Sequence, residues 1–141
     1  MQELKITEMT IAHYGSMIDL WERTEGLVLS EADSEANIES FLRRNAGLSF
    51  VATQDGKVAG TSLCGHDGRR GFLYHVAVDP AVRGKGVAGR MVALSLAGLQ
   101  AAGIEKCHLF TLEDNEIGNR YWANNGWQRR SGILLYTRDV P

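Results

Sequence analysis

The chain has 141 residues, 44% of them hydrophobic, and a formal net charge of −2, which provides for one domain around one core (residues 1–141) and leaves no room for a second. So small a charge excludes nucleic acid or an acidic membrane as a partner held by overall electrostatics. No apolar run reaches the ~20 residues that span a bilayer, and residues 1–10 are too polar for a signal peptide, so a cytoplasmic location is expected.

Leu4 to Thr7 alternates apolar and polar side chains and reads as a short first strand. Thr10 can cap the helix that follows, in which Ile11, Tyr14, Met17, Ile18 and Trp21 recur at three- and four-residue steps until Thr24 or Gly26. Residues 25–33 read as a loop. Asp33 and Ser34 are candidate caps for a second helix, whose inward face is Ile38, Phe41 and Leu42 and whose end is marked by Asn45 and Gly47. Leu48 to Thr53 is a strand, Gln54-Asp55-Gly56-Lys57 a hairpin turn, and Val58 to Gly65 the returning antiparallel strand. Asp67-Gly68 marks a second turn, with Arg69 and Arg70 solvated or holding an acidic group, and Gly71 to Val78 is the next strand. A helix opens near Val87 and ends at Gly103. Cys107 to Thr111 is then a strand that must run parallel to the preceding one, because a helix joins them. Asn115 to Asn125 is a short helix, and Trp127 to Thr137 a final strand or bent pair with Ser131-Gly132 as its kink. The architecture expected is α/β, a mixed central sheet with helices on both faces. Cys64 and Cys107 lie in apolar, strand-like surroundings and read as buried reduced thiols.

The chemistry concentrates in Arg83-Gly84-Lys85-Gly86-Val87-Ala88-Gly89. Its glycines permit backbone conformations that a side chain forbids, and a helix starting there aims several unpaired N–H groups at one spot. Arg83 and Lys85 add positive charge, so a phosphate or pyrophosphate is the expected occupant. A Walker A loop is excluded, since Lys85 is followed by Gly86 and not by Ser or Thr. Gly84-x-Gly86-x-x-Gly89 fits the dinucleotide fingerprint in spacing, but Asp79 to Arg83 separates strand from glycines and too little chain follows Phe110 for a doubly wound sheet. A glycine-rich connection with no ligand is the remaining reading. Charge is unevenly spread: residues 1–41 carry nine acids against Lys5 and Arg23, and the remainder thirteen Lys or Arg against eight acids. The basic part contains the proposed phosphate site, and the acidic part either meets a cationic amine or is a set of solvated helix faces. No spacing of His13, His66, His75 and His108 with Cys or carboxylates makes a metal site.

Val76-Ala77-Val78-Asp79-Pro80 followed by Arg83-x-x-Gly86-x-Ala88 resembles the acetyl-CoA-binding motif of the GCN5-related N-acetyltransferases (GNAT). Asn115-x-x-Gly118-x-x-Tyr121-Trp122-x-x-x-Gly126-Trp127 is similar to that family's late motif, and the two stand in the family's order and separation. Gly65 to Arg70 further resembles a poorly characterised bacterial branch. The resemblance implies an enzyme that moves the acetyl group of acetyl-CoA to a primary amine, on a small molecule or a peptide, by direct attack in a ternary complex. It implies that acetyl-CoA lies where the strand at 71–78 splays from that at 107–111. There Val76, Ala77 and Val78 make backbone contacts, Arg83, Gly84, Lys85, Gly86, Val87 and Ala88 cradle the pyrophosphate, Asn115 either contacts the pantetheine arm or only caps the short helix, and Trp122 either binds the cofactor or is a core aromatic. Splayed parallel strands have free N–H groups for such an arm, and one near Val76 can polarise the thioester carbonyl.

The amine must lose a proton before it attacks. His75 is one candidate base, since an imidazole can take up a proton in neutral water, and a core histidine bonded to its neighbours is the other reading. Glu22, Glu25 and Glu31 are alternatives, near a loop that shapes the acceptor pocket in the family. The family's usual acid, a tyrosine, aligns here with Trp122, whose indole N–H cannot deliver a proton at neutral pH. Tyr121 is adjacent, though about a hundred degrees away around a helix. Either Tyr121 serves, or water, or the thiolate leaves unassisted. That departure keeps open a non-catalytic acyl-CoA-binding regulatory domain. Family members of this size also pair as homodimers, through sheet edges or terminal strands.

Overall fold

The structure, a computed structural model, describes residues 3–141; residues 1 and 2 of the polar opening stretch lie outside it. The chain groups into two compact units, Met1–Phe110 and Thr111–Pro141, and each is described by itself.

The first unit contains β1 (Lys5–Glu8), α1 (Tyr14–Glu22), α2 (Glu35–Arg44), β2 (Phe50–Gln54), β3 (Lys57–His66), β4 (Gly71–Val78), α3 (Val87–Ala101) and β5 (Cys107–Leu109), with 3-10 turns at Ile11–His13, Glu31–Asp33 and Pro80–Val82. The strands form one sheet in the order β1-β2-β3-β4-β5, antiparallel except for the last pair. This is the mixed sheet expected from the pattern. The β2–β3 turn follows from its sequence, because Asp55 and Gly56 both take positive φ, 54° and 75°, as a two-residue hairpin of matching twist requires. The parallel β4–β5 pair is reached through α3, as a crossover must be.

Strand alternation sorts the core into two layers. Val51, Val58, Leu63 and Ala77 face Met17, Leu20 and Trp21 of α1 and Ile38 of α2, whereas Ala52 and Val78 face Val87 and Met91 of α3. Buried polar groups tie both layers to the sheet. Trp21 Nε1 donates to Thr61 Oγ1 at 2.8 Å, and on the other face Ser95 Oγ lies 3.0 Å from Ser62 Oγ and donates to the Leu48 carbonyl at 2.7 Å. Cys64 is buried, Cys107 half-buried, and both are free thiols.

The second unit holds α4 (Glu116–Asn124), where Asn115 Oδ1 accepts from the Gly118 N–H at 3.1 Å as its N-cap. Trp122 meets Tyr121 and Trp127 edge to face at 5.1 and 5.3 Å between ring centroids. The expected strand over residues 127–137 does not form. Gly132 makes the turn, at φ 82°, but no strand is present in 127–141, and Ile133, Leu134, Leu135 and Tyr136 are 69–85% exposed. The apolar run carries β-propensity, but a strand is stabilised by pairing with a neighbour, and among the described residues this run has none. No helix among the described residues is long and apolar enough to cross a membrane.

Candidate active site

β4 outlasts its parallel partner. Pairing with β5 runs from Gly71↔Cys107 through Leu73↔Leu109 and stops, while β4 continues to Val78. Tyr74 to Val78 therefore has a strand on the β3 side only, at the place where the resemblance implies a gap between the two strands. Asp79 donates its N–H to the Ala59 carbonyl of β3 at 2.8 Å, and Ala77 pairs with Thr61. Backbone groups alternate along a strand, so Ala77 spends its own on β3, whereas Val78 turns its own to the free edge. Val78 shows this directly: its carbonyl accepts from Arg83 Nε at 3.1 Å.

The chain then turns through Pro80–Val82, with Asp79 as N-cap accepting from the Ala81 N–H at 2.9 Å. That bond, and then Arg23 at 3.0 Å, hold the Asp79 carboxyl below the usual carboxylate range. Gly84 and Gly86 follow at φ 80° and 73°, in the region that only glycine enters without strain, and a Cβ at either would meet nothing within 4 Å. The glycines are there for conformation and not for space. Gly86 is the N-cap of α3 and offers no side chain to the first turn, so the N–H groups of Val87, Ala88 and Gly89 are uncapped at the positive end of a 15-residue helix. Val87 itself points into the core at 2% exposure, leaving only its backbone for a ligand. Arg83, Gly84, Lys85 and Gly86 are exposed around this start.

His75 sits at the irregularity between these two stretches. The β3–β4 register shifts between Thr61 and Leu63, so that His75 and Val76 stand opposite Ser62 alone, and His75 takes φ 46°. The bulge turns the ring toward α1, 4.7 Å between centroids from the Trp21 ring, and Thr61 Oγ1 fixes the His75 carbonyl at 2.7 Å. Nε2 lies 2.8 Å from Asp33 Oδ1, and the two side chains are 16% and 8% exposed. Asp33 Oδ2 accepts the Ser30 N–H at 3.0 Å, and the Asp33 carbonyl accepts the Tyr14 hydroxyl at 2.6 Å. The sequence marks Asp33 only as a helix cap. Ser34 is the residue that caps α2, and Asp33 is buried against β4 instead. A carboxylate and an imidazole 42 residues apart leave no local signature. Glu22, Glu25 and Glu31 are exposed around the same loop.

Thus the structure assembles His75, Val76, Val78 and Arg83 to Ala88 along one edge and one turn, while Asn115, Tyr121 and Trp122 belong to the second unit. In that unit, burial pushes the Tyr121 hydroxyl up from its ordinary range.

The acetyltransferase (GNAT) family model matches residues 14–127. An acetyltransferase of Pectobacterium atrosepticum is 36% identical over 103 residues, which cover 73% of this chain and 72% of that protein. Among solved structures, the PaiA N-acetyltransferase of Thermoplasma acidophilum in complex with coenzyme A is similar at a TM-score of 0.77 and 16% identity, covering 93% of each chain. The aminoglycoside N-acetyltransferase AAC(6')-Iy in complex with CoA is similar at 0.77 and 20%, covering 99% of this chain and 97% of that one.

Proposed function

The chain belongs to the acetyltransferase (GNAT) family, and from that premise we infer how its residues divide the work of moving an acetyl group from acetyl-CoA to an amine. The observation that carries the reading is the end of β4–β5 pairing at Leu73, with β4 running on to the uncapped start of α3. These residues fit the donor. An extended amide-bearing arm can bond the free edge of Val76 and Val78, and a pyrophosphate matches the N–H groups of Val87 and Ala88 with the charges of Arg83 and Lys85. Gly84 and Gly86 give the turn the left-handed backbone that presents those N–H groups. Acetyl-CoA supplies a thioester, whose acyl carbon an amine nitrogen can attack.

The Val76 N–H donates to the carbonyl oxygen on which charge builds, and its place in the backbone means it need not reorganise. His75 removes a proton from the acceptor nitrogen. For the second unit the proposal rests on the motif alone. Tyr121, kept protonated by its raised pKa, gives a proton to the leaving sulfur, and Asn115 and Trp122 hold the arm. The acceptor is a primary amine on a small molecule or peptide, the protein acts in the cytoplasm as one domain over residues 1–141, and two copies pair as a homodimer. Relatives named as acetyltransferases do not favour a non-catalytic acyl-CoA-binding role.

The test is calorimetric titration with acetyl-CoA beside thiol release in the presence of spermidine, kanamycin, a lysine-containing peptide and free amino acids. Binding with release that depends on one of these amines is expected. Arg83→Ala with Lys85→Ala should weaken binding by roughly tenfold or more, as the loss of two charge-assisted contacts implies. Binding without release from any amine would revive the non-catalytic reading, and absence of binding would overturn the site.

A further inference from the structure

We propose that Asp33 is a positioning residue for the proton transfer: it holds the His75 imidazole in the tautomer that leaves Nδ1 free to take a proton from the acceptor amine. This rests on the reading of His75 as the proton acceptor and adds to it a residue from the turn between α1 and α2.

The argument starts from what each atom can do. A carboxylate only accepts hydrogen bonds. With Asp33 Oδ1 2.8 Å from His75 Nε2, the neutral ring places its one proton on Nε2 and its lone pair on Nδ1. No described residue bonds Nδ1, whereas every buried side-chain nitrogen or oxygen among the described residues has a partner. Nδ1 therefore keeps some access to solvent, in a side chain that is 16% exposed. The Trp21 ring covers one side of the imidazole, and Thr61 Oγ1 pins the carbonyl of the strained His75 backbone. Asp33 is held in turn: Oδ2 takes the Ser30 N–H, and the Tyr14 hydroxyl takes the Asp33 carbonyl. A histidine bonded only for stability needs one partner; this one has its backbone, its ring plane and one nitrogen fixed while the other nitrogen stays unused.

In the step itself an N–H bond of the acceptor breaks, its electron pair stays on the acceptor nitrogen, and the proton forms Nδ1–H. The imidazolium charge then lies beside the Asp33 carboxylate until Nδ1 returns the proton to solvent. The titratable groups packed around the pair are Tyr14 from α1, with the carboxylates of Glu22, Glu31 and Glu35 about it; Trp21 and Thr61 carry no charge.

Asp33→Asn separates positioning from packing, because it preserves shape and changes one proton. Its single acceptor oxygen is needed for the Ser30 N–H, so its NH₂ faces His75 Nε2, and the ring must move its proton to Nδ1. The tautomer is read by ¹⁵N NMR of histidine-labelled free protein, with the His75 signals assigned by their loss in His75→Gln; this needs no acceptor. We expect Nε2–H in the native protein and Nδ1–H in Asp33→Asn. With the amine turned over fastest in the panel, kcat should fall about a hundredfold or more in Asp33→Asn with KM for acetyl-CoA held. Asp33→Glu, which restores a carboxylate, should recover part of that loss and keep the Nε2–H tautomer. An unchanged tautomer in Asp33→Asn, or native kcat there while His75→Gln is impaired, would overturn the inference and leave His75 as the base. Full kcat in His75→Gln would instead sink the reading on which it rests.

Discussion

Ser95 carries more of the α3 packing than its size suggests. Its hydroxyl serves both Ser62 Oγ and the Leu48 carbonyl in a fully buried position, so Ser95→Ala strands two polar groups at once. The cost expected is about 1–3 kcal/mol, seen as a lower urea midpoint with an unchanged slope. Residues of this kind were only half legible in the sequence. Gly84 and Gly86 could be read because a left-handed turn into an uncapped helix start calls for glycine, whatever surrounds it. Asp33 could not, since a carboxylate before Ser34 satisfies the rule for a helix cap equally well whether it caps or reaches across to β4. Likewise, nothing local to His75 announces a positive φ; the bulge arises from a mismatch in length between β3 and β4, which neither strand records alone.

Two glycines show that elements use the same residue for opposite reasons. Gly86 holds a left-handed N-cap in open space, so Gly86→Ala strains the backbone by about 1–2 kcal/mol without a clash and moves the first N–H groups of α3. Gly71 makes room: a Cβ there would lie 2.5 Å from Leu99 Cδ1, so Gly71→Ala should push α3 from β4 at about 1–3 kcal/mol. Measured side by side, Gly86→Ala should lower acetyl-CoA affinity more than its stability loss predicts, and Gly71→Ala should lower the melting temperature while affinity follows stability. The β2–β3–β4 meander and the crossover through α3 to a parallel β5 were legible, because turn chemistry and the handedness of connections are carried by the chain itself; the place of β1 at the edge beside β2 was not. How far β5 follows β4 was not: Cys107 to Thr111 reads as one apolar strand, yet pairing stops at Leu109.

At the scale of the molecule, acid should destabilise the fold through carboxyls held below their ordinary range. Asp67 accepts the Arg70 and Arg69 N–H groups, and Asp79 accepts that of Ala81 and pairs with Arg23. A depressed carboxyl stabilises above its unfolded pKa and loses that contribution as pH falls through its folded value. The melting temperature should therefore hold down to about pH 4 and drop below it, less steeply in Asp79→Asn. The tail was the part least legible as a whole, for Ile133 to Tyr136 state a preference for extended backbone but not a neighbour to satisfy it. The two free cysteines bear on how turnover is counted. Interaction with the neighbouring thiol, and then burial, push Cys64 up, while the same neighbour holds Cys107 below the ordinary thiol range. An aromatic disulfide dye that scores liberated coenzyme by its sulfur will thus also colour with the enzyme. One equivalent should react from the folded chain, through Cys107, and a second only on denaturation; a Cys107→Ser background subtracts the first.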